Sequence, residues 1–126
     1  MANKLILIIE DNEKNRKLIR DLLQVKGYQT IESGTAEEGL RLAEEESPAL
    51  ILMDIQLSGM DGITAMKRLK VAPNTKTIPI IAITASAMTY NRETMLAEGF
   101  DGYQTKPLNL NEFLSDIERL IASRGR

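Results

Sequence analysis

The sequence predicts a doubly wound α/β domain, a five-stranded parallel sheet with five helices packed on its two faces. Three observations carry this reading. Short continuous runs of apolar, mostly branched residues recur along the chain, at Leu5 to Ile9, Ala49 to Met53 and Ile80 to Ile83, the pattern of strands buried on both faces. Between such runs the apolar spacing lengthens to about 3.6 residues, the helical period. Strand and helix alternate five times, which implies right-handed crossovers and helices on both faces of the sheet. At 126 residues, 43% hydrophobic and 27% charged, the chain can bury a core of its own, and we expect a single domain over residues 1–126.

Each element has its own signal. After the first strand, Leu18, Ile19, Leu22 and Leu23 make a helical stripe that Gly27 closes as a left-handed cap. Tyr28 to Ile31 is a second strand, recognised mainly by the helices beside it. Thr35 with Glu38 three residues on is a capping box, opening a helix that carries Leu40 and Ala43 and stops before Pro48. The third strand is Ala49 to Met53. Ile63, Met66 and Leu69 form the third helix, ended by Pro73 and Asn74, and Pro79 introduces the fourth strand. Met88, Met95 and Leu96 predict a fourth helix with Gly99 at its end, and Gly102 to Thr105 a fifth strand. The last helix is the clearest. Asn109 caps it, Glu112 sits three on, and Leu110, Phe113, Leu114, Ile117, Leu120 and Ile121 line one face.

Composition removes whole classes of chemistry. The chain has no Cys, His or Trp, which excludes disulfide scaffolds, thiol nucleophiles, Ser/His/Asp triads and metal sites built on His or Cys. A net charge of −2 gives no drive toward a phosphate backbone, so nucleic acid is not expected as a partner. The apolar runs are far shorter than the ~18 residues of a membrane span, and no signal-peptide hydrophobic region follows Met1. A cytoplasmic protein without a membrane partner is expected. No Walker A loop or G-x-G-x-x-G is present, and the Asp11-x-Glu13-x-Asn15 segment has Arg16 where a calcium loop needs glycine.

In a parallel sheet the residues that follow each strand gather at one edge, where ligands bind. Here they are Glu10 and Asp11 after the first strand, Asp54 after the third, Thr84 after the fourth, and Lys106 before Pro107 after the fifth. Three crowded carboxylates cannot all ionise comfortably, so one pKa must rise or a cation must bind. An all-oxygen ligand set favours Mg²⁺ first and Mn²⁺ second. Two positive charges from the ion and one from Lys106 would offset the three negatives, leaving a position for an anionic oxygen such as that of a phosphoryl group. Each residue also has a plainer role: Asp11 or Asn12 as a helix cap, Asp54 as a structural acid, Lys106 as a residue held extended by Pro107. Their conjunction at one edge favours a site.

These residues resemble the receiver domain of response regulators in bacterial two-component signalling. The matching pieces are Ile9 to Asn12, Leu52 to Asp54, Gly59 to Gly62, Ile83 to Ala85 and Tyr103 to Pro107, spread over essentially the whole chain. The resemblance implies the flavodoxin-like strand order 2-1-3-4-5 and a signalling phosphoacceptor, not an enzyme acting on other substrates. It makes Asp54 the phosphoacceptor, with Glu10, Asp11, Asp54 and the Gln56 backbone carbonyl holding Mg²⁺ or Mn²⁺. Lys106, Thr84 and the Ala85 amide would bind the phosphoryl oxygens, the Lys106–Pro107 bond would be cis, and Thr84 and Tyr103 would form the switch. The resemblance also implies that the surface of the fourth helix, fifth strand and fifth helix changes shape for a downstream protein, whose identity is unknown. With no His in the chain, the phosphoryl must come from another polypeptide or domain, a histidine kinase or histidine phosphotransfer protein.

Two departures stand out: Ser58 replaces the family's usual proline, and the acidic pair is Glu-Asp. The Glu10 to Asn15 and Leu52 to Gln56 segments are similar to single-domain regulators of the DivK type and to receivers within hybrid kinases. Because the chain ends just past the last helix, no output domain is expected, and the oligomeric expectation is a monomer or a weak, phosphorylation-linked dimer. The first helix carries Lys14, Arg16, Lys17, Arg20 and Lys26, read first as a solvated face. In the family this helix docks the phosphodonor, which makes Asn12, Asn15 and Leu18 candidate contacts. The competing readings are a pseudo-receiver that binds without phosphorylation, a flavodoxin-like flavin protein, and an aspartyl-phosphate hydrolase. The intact Asp54, Thr84 and Lys106 set opposes the first. Acids at Ile9 to Asn12 oppose the second, and Gln56 stands where the third usually has Asp.

Overall fold

Strand and helix alternate through β1 (Leu5–Ile9), α1 (Glu13–Val25), β2 (Gln29–Ser33), α2 (Ala36–Glu46), β3 (Leu50–Asp54), α3 (Gly62–Val71), β4 (Ile80–Thr84), α4 (Arg92–Glu98), β5 (Gly102–Thr105) and α5 (Leu110–Arg124). The structure, a computed structural model, describes residues 4–124. All strand pairings are parallel, as the sequence pattern predicts, and the order is β2-β1-β3-β4-β5, as the family resemblance implies.

Position in the sheet explains which strands are easy to see in the sequence. The central β1, β3 and β4 are buried on both faces and are nearly continuous Leu, Ile and Met. At the edges, β2 and β5 admit polar residues, so their signal is weak. Alternate side chains feed two cores. Leu7, Ile9, Ile51, Met53, Ile80 and Ala82 pack on one face against Ala43 of α2, Ala65, Met66 and Leu69 of α3, and Met95 of α4. Ile6, Ile8, Leu50, Leu52, Ile81 and Ile83 meet Ile19 and Leu23 of α1 and Phe113 and Ile117 of α5. Each large apolar side chain buried in this way contributes about 2 kcal/mol relative to exposure.

Every helix opens on a side-chain cap: Asn12, Thr35, Asp61, Asn91 and Asn109 each accept from the amide three residues on, at 2.8 to 3.2 Å. At Thr35 only half of the predicted capping box forms. The Thr35 amide donates to Ser33 Oγ instead, and the Glu38 carboxylate faces Arg41. Gly27, at φ 93°, takes the positive backbone angle predicted for the end of α1.

Three expectations are corrected. β2 begins and ends later than Tyr28 to Ile31, because Ile8 and Ile9 draw Glu32 and Ser33 into the ladder. Leu18 lies 67% exposed, so the buried stripe of α1 is Ile19 and Leu23, with Leu22 at its margin. Met88 lies outside α4 and is 96% exposed: the turn Tyr90 N–H to Ser86 carbonyl precedes the Asn91 cap, delaying the helix until Arg92.

Candidate functional site

Because β3 lies between β1 and β4, its last residue, Asp54, stands at the middle of the carboxyl edge. Glu10 follows β1 on one side, and Thr84 ends β4 on the other. Glu10, Asp54 and Thr84 are all buried, and Asp11 is exposed at the rim. The turn after β3 is compressed by α3. A Cβ on Gly62 would meet the Asp54 carbonyl and approach Ile55 Cα to 2.9 Å, so the glycine admits the helix start beneath the acid.

Asp54 uses both oxygens. Oδ1 accepts the Gln56 amide at 3.0 Å, and Oδ2 accepts from Lys106 Nζ at 3.1 Å. Glu10 Oε2 accepts the Asn12 amide at 3.0 Å. Its Oε1 lies 2.9 Å from Lys106 Nζ as an ion pair, without the alignment of a hydrogen bond, and is the buried side-chain oxygen left without one among the described residues. Glu10, Asp11 and Asp54 each offer an oxygen, all within 4.8 Å of one another. Hard oxygen donors converging beside an under-bonded buried carboxylate oxygen suit a hard divalent cation such as Mg²⁺.

The electrostatics follow from that crowding. Burial pushes the Glu10 carboxyl above its ordinary value, and the Asp54 carboxylate adds to the rise against the opposing pull of Lys106 and the Asn12 amide. Burial alone would lower the Lys106 ammonium. The Glu10 and Asp54 carboxylates outweigh it and hold the group above the ordinary lysine value. Lys106 is therefore a charged bridge between two buried acids. Its amide donates to the Thr84 carbonyl at 2.9 Å, and the bond to Pro107 is cis.

Thr84 Oγ1 accepts the Ser86 amide at 2.9 Å, and Ala85 is exposed beside it. Tyr103 is buried on the α4 side of the sheet, where its hydroxyl donates to the Tyr90 carbonyl at 2.7 Å and Arg92 lies over its ring. Gln56 meets Asp54 through its amide. Asn12 is the cap of α1. Asn15 and Leu18 border an apolar groove of about 280 Å³ that runs past Leu22, Pro107, Leu108 and Leu110 to Lys106.

Part of the neighbourhood was not legible beforehand. The basic row of α1 is not simply solvated: Arg16 and Arg20 both pair with Glu32 of β2, and Arg16 also reaches the Glu10 carbonyl. The only hint in the sequence is one acid inside an edge strand, and its facing residues become visible once the register is known. The Tyr90 carbonyl, being backbone, left no trace.

Similarity to known proteins agrees with this arrangement. The family model described as the response regulator receiver domain matches residues 6–118. The chain is 43% identical over 118 residues to the polar-differentiation response regulator DivK of Brucella ovis, covering 94% of this chain and 96% of that one. Among solved structures, it superimposes with a TM-score of 0.88 and 33% identity on the receiver domain of a sensor histidine kinase from Pseudomonas aeruginosa, which has a magnesium ion coordinated in its active-site cleft. That match covers 96% of this chain and 99% of the other. The signal receiver domain of a histidine kinase from Syntrophus aciditrophicus gives 0.86 at 30% identity, covering 95% and 91%. Among the described residues no helix is long and apolar enough to cross a membrane. The strand order, the acids at the carboxyl edge, the bridging lysine and a family match over nearly the whole length lead to one conclusion: the chain belongs to the response regulator receiver domains, the signalling modules that accept phosphoryl groups from histidine kinases.

Proposed function

We propose that the chain accepts a phosphoryl group on Asp54 from a phosphohistidine of a histidine kinase or histidine phosphotransfer protein. A carboxylate oxygen of Asp54 attacks phosphorus in line as the bond from phosphorus to the donor imidazole nitrogen breaks. That nitrogen keeps the electron pair, and with the donor ring protonated on its other nitrogen the products are an acyl phosphate and a neutral donor histidine. The observation that carries this reading is Asp54 itself, buried at 4% exposure yet opposite an ammonium that also holds Glu10. An Mg²⁺ ion held by Glu10, Asp11, Asp54 and the Gln56 carbonyl would supply charge neutralisation for the transferring group. Lys106 would turn its ammonium from the carboxylates to a phosphoryl oxygen, and the Thr84 hydroxyl and Ala85 amide would hydrogen-bond another.

Phosphorylation replaces the single negative charge of the Asp54 carboxylate with an acyl phosphate carrying about −1.5 to −2 and its strong acceptor oxygens. Drawing Thr84 toward it vacates space into which the Tyr103 ring rotates, leaving Tyr90 and reshaping the α4-β5-α5 face for a downstream protein. The phosphodonor docks along the groove beside Lys106, where Asn15 and Leu18 are the contacts on α1.

Labelling with phosphoramidate tests the assignment without a kinase. The wild type takes up an Mg²⁺-dependent, hydroxylamine-sensitive phosphoryl group, and Asp54→Asn does not. Mg²⁺-dependent labelling that persists in the Asn variant would overturn Asp54 as the acceptor.

A further inference from the structure

The segment from β1 to α1 sets both Glu10 and Asp11, and its backbone is held from two sides. The Glu10 amide donates to the Ser33 carbonyl of β2 at 3.0 Å. The Glu10 carbonyl, part of the peptide joining it to Asp11, accepts from Arg16 Nη1 at 2.8 Å. The same guanidinium donates through Nε to Glu32 Oε1 at 3.1 Å, while Glu32 Oε2 accepts from Arg20 at 3.0 Å. Arg16 springs from the first turn of α1, where its own amide bonds the Asn12 carbonyl. Its side chain is 19% exposed and that of Glu32 is 25%, too enclosed for a purely solvated row.

We infer that Arg16, braced by Glu32, is a positioning residue for the acidic pair. Its planar fork ties the Glu10–Asp11 peptide to β2 and so fixes the direction of both carboxylates toward Asp54. The peptide is the shared pivot of Glu10 and Asp11, and rotation about it would carry their carboxylates off the common point. A lysine would replace two donors fixed on a planar fork with a single point charge, and so would hold the carbonyl and the carboxylate with less directional constraint. The inference rests on the reading that this cluster binds Mg²⁺, and it assigns Arg16 a role other than kinase contact.

Calorimetric titration of the metal-free protein with MgCl₂, together with phosphoramidate labelling rates across Mg²⁺ concentrations, tests it. Loss of groups that orient metal ligands typically weakens affinity 10- to 100-fold. Arg16→Met is expected to raise the Mg²⁺ dissociation constant by about tenfold. Labelling should slow at low Mg²⁺ and recover toward the wild-type rate at saturation. Arg16→Lys and Glu32→Gln, which keep more of the local packing, are expected to weaken Mg²⁺ in the same direction and serve if Arg16→Met does not fold. Arg20→Met removes an ion pair to Glu32 without touching the Glu10 carbonyl, and retains wild-type affinity.

Unchanged Mg²⁺ affinity in the Arg16 variants overturns the inference. So does an equal loss in Arg20→Met, which would mark a general effect of destabilisation, or a defect seen only with a kinase donor, which would mark a docking role. A wild type that binds Mg²⁺ but takes no label removes the phosphoacceptor reading and leaves the positioning role to be decided by the titration. A wild type that binds no Mg²⁺ removes both.

Discussion

Lys106 neutralises two buried acids at once, so its removal acts on stability before it acts on chemistry. In Lys106→Met, Glu10 and Asp54 would face each other without the ammonium that now lies 2.9 and 3.1 Å from them. Deleting one partner of a buried ion pair costs about 3–5 kcal/mol. The side chain here is one-fifth exposed and Glu10 can take up a proton, so about 2 kcal/mol is expected in the metal-free protein, read from the urea midpoint. A midpoint equal to that of the wild type would show that the pairs contribute nothing. Glu10 gives a second prediction at this scale. Its folded pKa lies above the ordinary value of 4.5, so the folded state holds the proton more tightly than the unfolded chain. Its contribution to stability is therefore full below about pH 4.5 and is lost as pH rises through the folded pKa. In EDTA, denaturation midpoints of the wild type should fall relative to Glu10→Gln across that window. Parallel profiles would contradict the assignment.

Gly62 shows how an element places a functional group, since α3 can begin under β3 only because this position has no side chain. Gly62→Ala forces backbone to move, not a flexible side-chain tip, and is expected to cost about 1–3 kcal/mol and to loosen the turn that holds Asp54. Guanidinium melts and the phosphoramidate labelling rate check both effects, and a variant normal in both would show that the turn relaxes freely. At the same scale it becomes plain why some of the molecule could be foreseen. Leu5 to Ile9 and Ile80 to Ile83 announce themselves because strands buried on both faces leave no room for polar residues, and their following residues then identify the site. Asn109 and Thr35 are legible because capping is local chemistry. Met88 misleads because spacing alone cannot distinguish a helical stripe from an exposed turn, and the Asn91 cap decides the matter in favour of a later start. The Arg16–Glu32 brace depends on the register of β1 against β2, which is a long-range fact that no local pattern carries.

Taken as a whole, the sheet separates the molecule into two layers, and the site opens toward both at its carboxyl edge. On the α1 and α5 side lies the apolar groove ending at Lys106; on the α2, α3 and α4 side lie Tyr103 and Arg92. A phosphodonor seated in the groove would deliver its group past Lys106 to Asp54, and the response would emerge on the far face through Thr84 and Tyr103. Two exposed leucines mark the groove, Leu18 at 67% and Leu110 at 53% exposure, and large apolar side chains of this kind are candidates to be covered by a partner. Val25, near the end of α1, is 81% exposed and does not line the groove, which makes it the internal control. Only the minority of interface side chains that anchor in a desolvated pocket cost more than about 1 kcal/mol on truncation, and about 1.4 kcal/mol is tenfold; the groove position assigns Leu18 and Leu110 to that minority. Leu18→Ala and Leu110→Ala are therefore each expected to slow phosphotransfer from the cognate kinase by about five- to tenfold at sub-saturating concentration, with Val25→Ala neutral. Phosphoramidate is too small to need the groove, so its labelling rate should not change in any of the three. If the leucine variants slow both donors equally, the groove acts through the site's geometry and is not a docking surface; if they slow neither, the donor approaches Lys106 from another side.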